Sequence, residues 1–327
     1  VFIGYVYPAG ELPIPGVSGG TVVDALQTHG HAGAFSHPDI LTIHRAVGAA
    51  LKDGDLVLSL GAGNIHEAEA RLRTDLMVRD ELQEVMGPGS IRLYEPLSRH
   101  TTMRVGGPAR FWAEPETEEG FTDLVCHCAD KELPLLVIGR GSNLLVRDGG
   151  IPGVVVHLSK GEFARHEVNG NKITAGVGLK LKQITAIARH AGLGGFEWME
   201  GIPGNLGGSL RMNAGAMGLE TFGQVEQVRY CDEDGNVFTR TPEEMEIRYR
   251  DVPTLRRNYA LSATLRGTPT SPTEIGVRLE QSEFNRRKSQ PIAASAGCIF
   301  KNPSQIPAGQ LIEELGLKNY SIGRARV

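Results

Sequence analysis

The chain has only four cysteines in 327 residues. That is too few for the disulfide framework of a small secreted domain. Cys126 and Cys128 form a C-x-C pair with no second pair at zinc-ligand spacing, so they read as packing residues on a helix, as does Cys231; no metal site is expected. No apolar run approaches the ~20 residues a membrane span needs, and no signal peptide is visible. Excess positive charge is missing too: the formal net charge is −4, against the basic footprint of a general nucleic-acid binder. An anionic ligand must therefore be gripped by local groups.

Glycine is what the chain has in excess: 42 residues, or about 13% against an average near 7%. With 40% hydrophobic and 22% charged residues the chain can bury proper cores. Its length suggests two or three domains, at roughly 150 residues each. The glycines cluster, which marks places where backbone approaches a ligand or another backbone closely.

In the first part, residues 1–7 are apolar and β-rich and enter a turn at 7–11. Apolar spacing predicts helices over 22–29 and 40–51. Residues 55–60 read as a buried strand ending in Gly61-Ala62-Gly63, followed by a helix through Leu76, which suggests a small parallel α/β unit. His66 stands where a dinucleotide fingerprint needs its third glycine, so that signal is weak. A break follows near Gly87. Beyond it, strands are expected at 111–113 and 135–138, helices at 121–131 and 179–191, a hairpin from 225–230 and 237–239, and a helix at 311–317. Without regular βαβ spacing, the class is α+β.

Four constellations carry possible chemistry. After the strand ending at Ile138, the run Gly139, Arg140, Gly141, Ser142 and Asn143 offers bare amides and short donors suited to phosphate oxygens, although an ordinary turn fits as well. Nine glycines fall from Gly192 to Gly218, and the run they punctuate holds Gly201, Ile202, Pro203, Gly204, Gly207, Gly208, Asn213, Ala214, Gly215 and Ala216 as candidate cofactor contacts. Ordering so much glycine is entropically costly, and a large diphosphate-bearing cofactor would offset it. A mobile surface loop fits poorly because Ile202, Leu206, Leu210 and Met212 intervene. Tyr249-Arg250 offers a guanidinium for a carboxylate, with surface pairing as the bland alternative. In Ser295–Pro303 (SAGCIFKNP), Cys298 reads equally as a buried hydrophobe or as a proton donor, since a thiol with a pKa near ~8.5 stays protonated at neutral pH.

Taken in this order, from Ser98–Ala109 (SRHTTMRVGGPA) onward, these elements resemble the flavin-dependent UDP-N-acetylenolpyruvoylglucosamine reductases of peptidoglycan synthesis, over some two-thirds of the chain. The resemblance implies an FAD-binding fold of the vanillyl-alcohol-oxidase type in two α+β subdomains, followed by a substrate domain. It implies a cytoplasmic enzyme in which NADPH reduces the flavin, a hydride passes to C3 of the enolpyruvyl group, and an acid protonates C2. On this resemblance Arg250 is the catalytic arginine and Cys298 the proton donor. The 139–143 and 201–216 runs hold FAD. Tyr249 and Asn302 approach the substrate, and Arg286 or Arg287 meets its diphosphate. The family's glutamate near the C-terminus has no counterpart before Val327; Glu313 and Glu314 are no substitutes, so turnover by this chain alone is not expected.

The first ~85 residues, at Val6–Glu11 (VYPAGE), Pro13–Gly16 (PIPG) and Gly61–Ile65 (GAGNI), are similar to the C-terminal domain of UDP-N-acetylmuramate–L-alanine ligases, a length that suits a separate small domain. His29, His31, His37 and His44 read as polar surface or loop residues rather than as a metal site. The expected organisation is a ligase-like α/β domain at 1–87, an FAD-binding region at 88–268 split near 158, and an incomplete substrate domain at 269–327, with both ends cut inside a ligase–reductase fusion. Two alternatives stay open: another FAD oxidoreductase of this fold, or a non-catalytic flavin or nucleotide-sugar binding module.

Overall fold

The computed structural model describes residues 1–327 apart from 53, 88, 290–294 and 296, and apart from the side chains of residues 287–289. Two sheets carry the body of the molecule. The first has four strands in the order Ile91–Pro96, Pro108–Ala113, Ile151–His157 and Leu135–Ile138, the outer pair at the Ile91 edge antiparallel and the rest parallel. Val154, Val155 and Val156 are fully buried in a row. Successive side chains of a strand face opposite sides, so a run buried at every position marks a sheet covered on both faces. Val154 and Val156 accordingly join the main core, while Val155 packs with Leu97, Ala109, Trp112 and Ile138 on the other face.

The second sheet is antiparallel throughout, in the order Val237–Arg240, Val225–Cys231, Tyr259–Arg266, Lys172–Gly176 and His166–Asn169. The expected hairpin is its first pair, closed by a turn in which Asp232 accepts from the backbone of Asp234 and Asn236. One continuous core, running through Phe111, Phe121, Phe163, Ile173, Val228 and Leu265, joins the two sheets.

The helices follow the spacing of their apolar residues. α1 spans Gly19–Thr28 and α2 Ile43–Ala50. α3, Ile65–Met86, runs ten residues past the expected end and buries the single stripe Ala68, Leu72, Asp75 and Leu82. α4, Glu118–Asp130, is capped by Thr117, whose side chain accepts from Gly120 N, carries Glu118 and Glu119 in its first turn, and buries Phe121, Leu124, Val125 and Cys128. Cys128 and Cys231 are buried, and both thiols are pushed up to about 12 by burial, consistent with their reading as packing residues. α5 spans Leu181–His190, α6 Leu206–Arg211, α7 Pro253–Arg257, α8 Pro272–Ser289 and α9 Ala308–Glu314.

The N-terminal part departs most from expectation. Residues 55–60 form no strand; Leu56, Leu58 and Leu60 are 92%, 74% and 80% exposed. An apolar run becomes a strand only when neighbouring strands satisfy its backbone groups. The described β-pairing nearby is Phe2–Ile3, alongside Phe35–Ser36 in parallel. His44 is a second correction, because it is buried on α2 rather than on the surface or in a loop.

Candidate functional site

The glycine-rich runs come together where the two sheets meet. Gly141, at φ +60°, lies so close to the His100 carbonyl that no Cβ would fit, and its own carbonyl accepts from Thr102 N at 3.3 Å. Only glycine takes both that angle and that approach without strain. Across from this loop, Asn205 stands beside Gly139 and Gly204 beside Ser142, each at 3.7 Å from the position of an added Cβ. Gly207 packs on Val177, while a Cβ on Gly208 would meet nothing within 4 Å.

Between them is a cavity of ≈ 80 Å³, walled by Ile138, Gly139, Asn205, Gly208, Arg211 and Tyr259 among others. Asn205 is 5% exposed; its amide donates to the Gly178 carbonyl at 2.8 Å, and its Oδ1 is buried without a partner among the described residues. A buried acceptor with nothing to accept is costly, so this wall suits a ligand that donates. The cavity is smaller than the ~300 Å³ at which ligand pockets begin, so it has room for only one end of a larger molecule.

The remainder of the expected cradle divides into separate jobs. Gly201 lies beneath the Arg286 side chain, leaving no room for a Cβ. Gly215–Ala216 pairs with Leu219–Glu220 through a tight turn whose central residues, Met217 and Gly218, both have positive φ. Asn213 is 1% exposed and ties this hairpin down: its Oδ1 accepts from Phe222 N at 3.2 Å and its Nδ2 donates to Glu220 at 2.8 Å. Ser209 and Thr221 share a buried 2.7 Å hydrogen bond beneath it.

Arg250 reaches into the same hairpin. Its Nη1 donates to the Asn213 carbonyl at 2.9 Å and its Nη2 to the Gly215 carbonyl at 3.0 Å. Glu220 lies 3.3 Å from Nη1, and the guanidinium sits 4.7 Å over the Tyr249 ring. Arg250 itself is held at φ +55°, a left-handed conformation that L-residues rarely adopt. The guanidinium is thus fixed from three sides and keeps its other N–H groups for a ligand.

The cysteine-bearing segment crosses to the first loop. Thr102 Oγ1 donates to the Ser295 carbonyl at 3.0 Å, and a Cβ on Gly297 would lie 3.9 Å from the Ser142 carbonyl. On its far side Lys301 is close enough to Asp251 to help hold that carboxyl below the usual range, the largest cause being the Arg256 hydrogen bond. Cys298 is exposed, so of its two readings the buried hydrophobe does not hold. Asn302 turns its Oδ1 to the Ala308 amide at the start of α9, 3.1 Å away. Arg287 is on the last turn of α8 with its side chain outside the described residues. Sequence reasoning missed two residues here. Asn205 stood inside the glycine run as an apparent spacer, and Glu220 gave no signal because its role depends on a hairpin fold.

An FAD binding domain model matches residues 109–240, and a model of the UDP-N-acetylenolpyruvoylglucosamine reductase C-terminal domain matches residues 290–327. The reductase of Caldanaerobacter subterraneus subsp. tengcongensis is 39% identical over 250 residues, covering 76% of this chain and 82% of the relative. The Clostridioides difficile enzyme is 39% identical over 248 residues, covering 75% and 81%. The chain belongs to the UDP-N-acetylenolpyruvoylglucosamine reductase family. In the crystal structure of the Thermus caldophilus reductase the match is 37% identical with a TM-score of 0.63, over 71% of this chain and 82% of that one. The protein is therefore an FAD-dependent oxidoreductase with the expected FAD-binding fold. The residues present fit FAD: glycine backbone on facing loops, a partnerless buried acceptor at Asn205, and a cavity open along the loops. No helix among the described residues is long and apolar enough to cross a membrane.

Proposed function

We propose that the chain works, as part of a ligase–reductase fusion, in the reduction of UDP-N-acetylenolpyruvoylglucosamine to UDP-N-acetylmuramate for peptidoglycan synthesis, with NADPH as reductant, in the cytoplasm. The chemistry FAD supplies when bound is hydride transfer from the reduced nicotinamide to C3 of the enolpyruvyl group. Gly139, Arg140, Gly141, Ser142 and Asn143 would hold its diphosphate, facing the 201–208 run. Residues Asn213–Ala216 would line the flavin side.

Hydride arrival at C3 leaves negative charge on C2 and the attached carboxylate, and a fixed cation facing that carboxylate lowers the barrier. Arg250 is suited to this because its guanidinium is already oriented by Asn213, Gly215 and Glu220 and needs no reorganisation. Cys298 would then give its thiol proton to C2, completing the saturated lactyl ether. The observation that carries the reading is the pairing of Arg250 with a hairpin of the glycine run while the Cys298 segment crosses the Gly139–Asn143 loop.

The test is spectral. Purified protein should be yellow and should bleach with NADPH under anaerobic conditions, then recover its colour when the enolpyruvyl substrate is added. Cys298→Ala should leave bleaching intact and slow recovery, whereas two unchanged half-reactions would remove Cys298 from the chemistry. The ligase-like reading of residues 1–87 belongs to the same proposal, with 88–268 as the FAD-binding region and 269–327 as the substrate domain. It rests on the VYPAGE, PIPG and GAGNI stretches of the sequence, and the reductase matches, which cover about three-quarters of the chain, do not bear on it. Sequencing of the surrounding reading frame tests it: a ligase ATP-binding domain should lie upstream.

A further inference from the structure

A second cavity lies away from the flavin loops. It measures ≈ 460 Å³ and opens at the seam where α2 and α3 meet the edge of the first sheet. Its polar lining is His44, Arg45, Arg71, Asp75, Tyr94 and Arg110; Pro108 and Ile151 give it an apolar wall. Gly48 makes the seam close, since a Cβ there would come within 2.5 Å of the Tyr94 ring.

The charges do not balance inside it. Asp75, 5% exposed, accepts from the Tyr94 hydroxyl and from Arg110 Nε at 2.7 Å, so its charge is consumed by Arg110. Arg45 spends one N–H on the Gly149 carbonyl at 3.2 Å, and Arg71 spends one on the Leu41 carbonyl at 3.1 Å. Glu67 approaches Arg71 only at 3.9 Å, with both side chains about half exposed, a pairing of little strength. Two guanidiniums thus face the cavity with donors to spare.

His44 is the second observation. It is 8% exposed, its ring meets Tyr94 edge-on at 5.7 Å, and its Nδ1 is sealed from solvent with no well-formed hydrogen bond among the described residues, the Leu41 backbone acting on it only weakly. Burial keeps the ring toward its neutral form; Arg45 and Arg71 reinforce that effect, while Asp75 and, more weakly, the backbone of Leu41 oppose it. An anion seated between the two arginines would give the ring a stronger partner and offset the cations together.

We infer that this seam cavity is a binding site for the diphosphate group of a small molecule, distinct from the flavin cleft. Guanidinium forks match phosphate oxygens in pairs, and the volume falls within the range of ligand pockets, ~300–1,000 Å³. The apolar wall of Pro108 and Ile151 gives room for an attached ring.

FAD-saturated protein, whose own diphosphate cradle is filled, should be titrated with inorganic pyrophosphate and with ADP by calorimetry at low salt. Binding should weaken by about tenfold in each of Arg45→Gln and Arg71→Gln, the loss of one charged hydrogen bond. The His44 ring resonances should move during the titration. ADP binding more tightly than pyrophosphate assigns the diphosphate to a nucleotide, and equal binding assigns it to a free polyanion. Absence of binding, affinity unchanged in both variants, or a His44 resonance that stays still overturns the site. Flavin content serves as the folding control, because neither arginine touches the flavin loops.

Discussion

Substituting alanine at two neighbouring glycines should separate folding from cofactor binding. At Gly141 the added Cβ meets the His100 carbonyl and lies 2.8 Å from Thr101 Cα, at a φ of +60°. Left-handed backbone costs an L-residue about 1–2 kcal/mol, and overpacking adds about 1–3 kcal/mol where neighbours cannot yield. These neighbours are pinned: His100 stacks on Trp112 at 3.9 Å and bonds Glu95 at 2.8 Å, and Thr101 Oγ1 donates to the Val105 carbonyl at 2.8 Å. The expected loss for Gly141→Ala is about 2–5 kcal/mol, or a fall in Tm on the order of 5–15 °C.

Gly139→Ala is the contrast. Its backbone is not left-handed, and its new methyl would meet only Asn205, at 3.7 Å. The apoprotein should melt within ~1 °C of the parent, since ordinary contact adds no strain. FAD affinity should nevertheless fall by about tenfold, because the methyl projects where the cofactor backbone contact is proposed. Calorimetric Tm of apoprotein and fluorescence titration with FAD give the two readouts. An apoprotein destabilised by Gly139→Ala, or flavin affinity unaltered by it, would refute the reasoning.

Two further outcomes follow from burial. Thiol labelling at pH 8 should modify exposed Cys298 in seconds to minutes, while Cys128 and Cys231, raised to about 12, react only on unfolding; mass mapping of the labelled peptides checks this. Burial lowers the pKa of both His44 and His157 from the ordinary 6.5, so the unfolded chain binds more protons than the folded one just below that value. Their stabilising contribution is therefore complete above pH 6.5 and is lost as the pH falls through the folded values. Tm measured from pH 7.5 down to 5.5 should decline, and a flat or rising profile would contradict that sign.

The hairpin, the strand at Leu135–Ile138 and the helices α4 and α5 were legible because local chemistry decides them: a cap, an apolar stripe, a turn. The Asp55–Leu60 run was not, because its β-rich composition says nothing of whether partner strands are present. The stop at Leu76 failed for a different reason. α3 carries only a thin buried stripe to Leu82, against the edge of a sheet not yet visible in the sequence. At the site, the glycine runs announced close approaches, yet which backbone each approached came only from the fold. Gly141 meets His100, while Gly201 meets Arg286, 85 residues along the chain from it (286 − 201). His44 was misplaced because a lone histidine on a short helix has no periodicity that fixes its face.

The arrangement around Arg250 raises the question of why a carboxylate stands beside the guanidinium proposed to receive another carboxylate. Glu220 lies 3.3 Å from Arg250 Nη1 and also accepts from Asn213 Nδ2 at 2.8 Å, so it both orients the fork and partly neutralises it. Glu220→Gln keeps an acceptor for Asn213 while removing the charge. With the Glu220 side chain 40% exposed, the Coulomb effect is screened, to about 0.4–1 kcal/mol. The enolpyruvyl substrate should bind about 2–5-fold more tightly as judged by KM. Hydride transfer should gain as well, since negative charge grows on C2 and the carboxylate in the transition state and a less neutralised fork stabilises it more than the ground state. Glu220→Ala instead releases the hairpin and the fork together, so kcat should fall, the mark of lost orientation. If Gln and Ala gave the same kcat and KM, Glu220 would neither orient nor moderate Arg250, and the hairpin's carbonyls alone would have to fix the guanidinium.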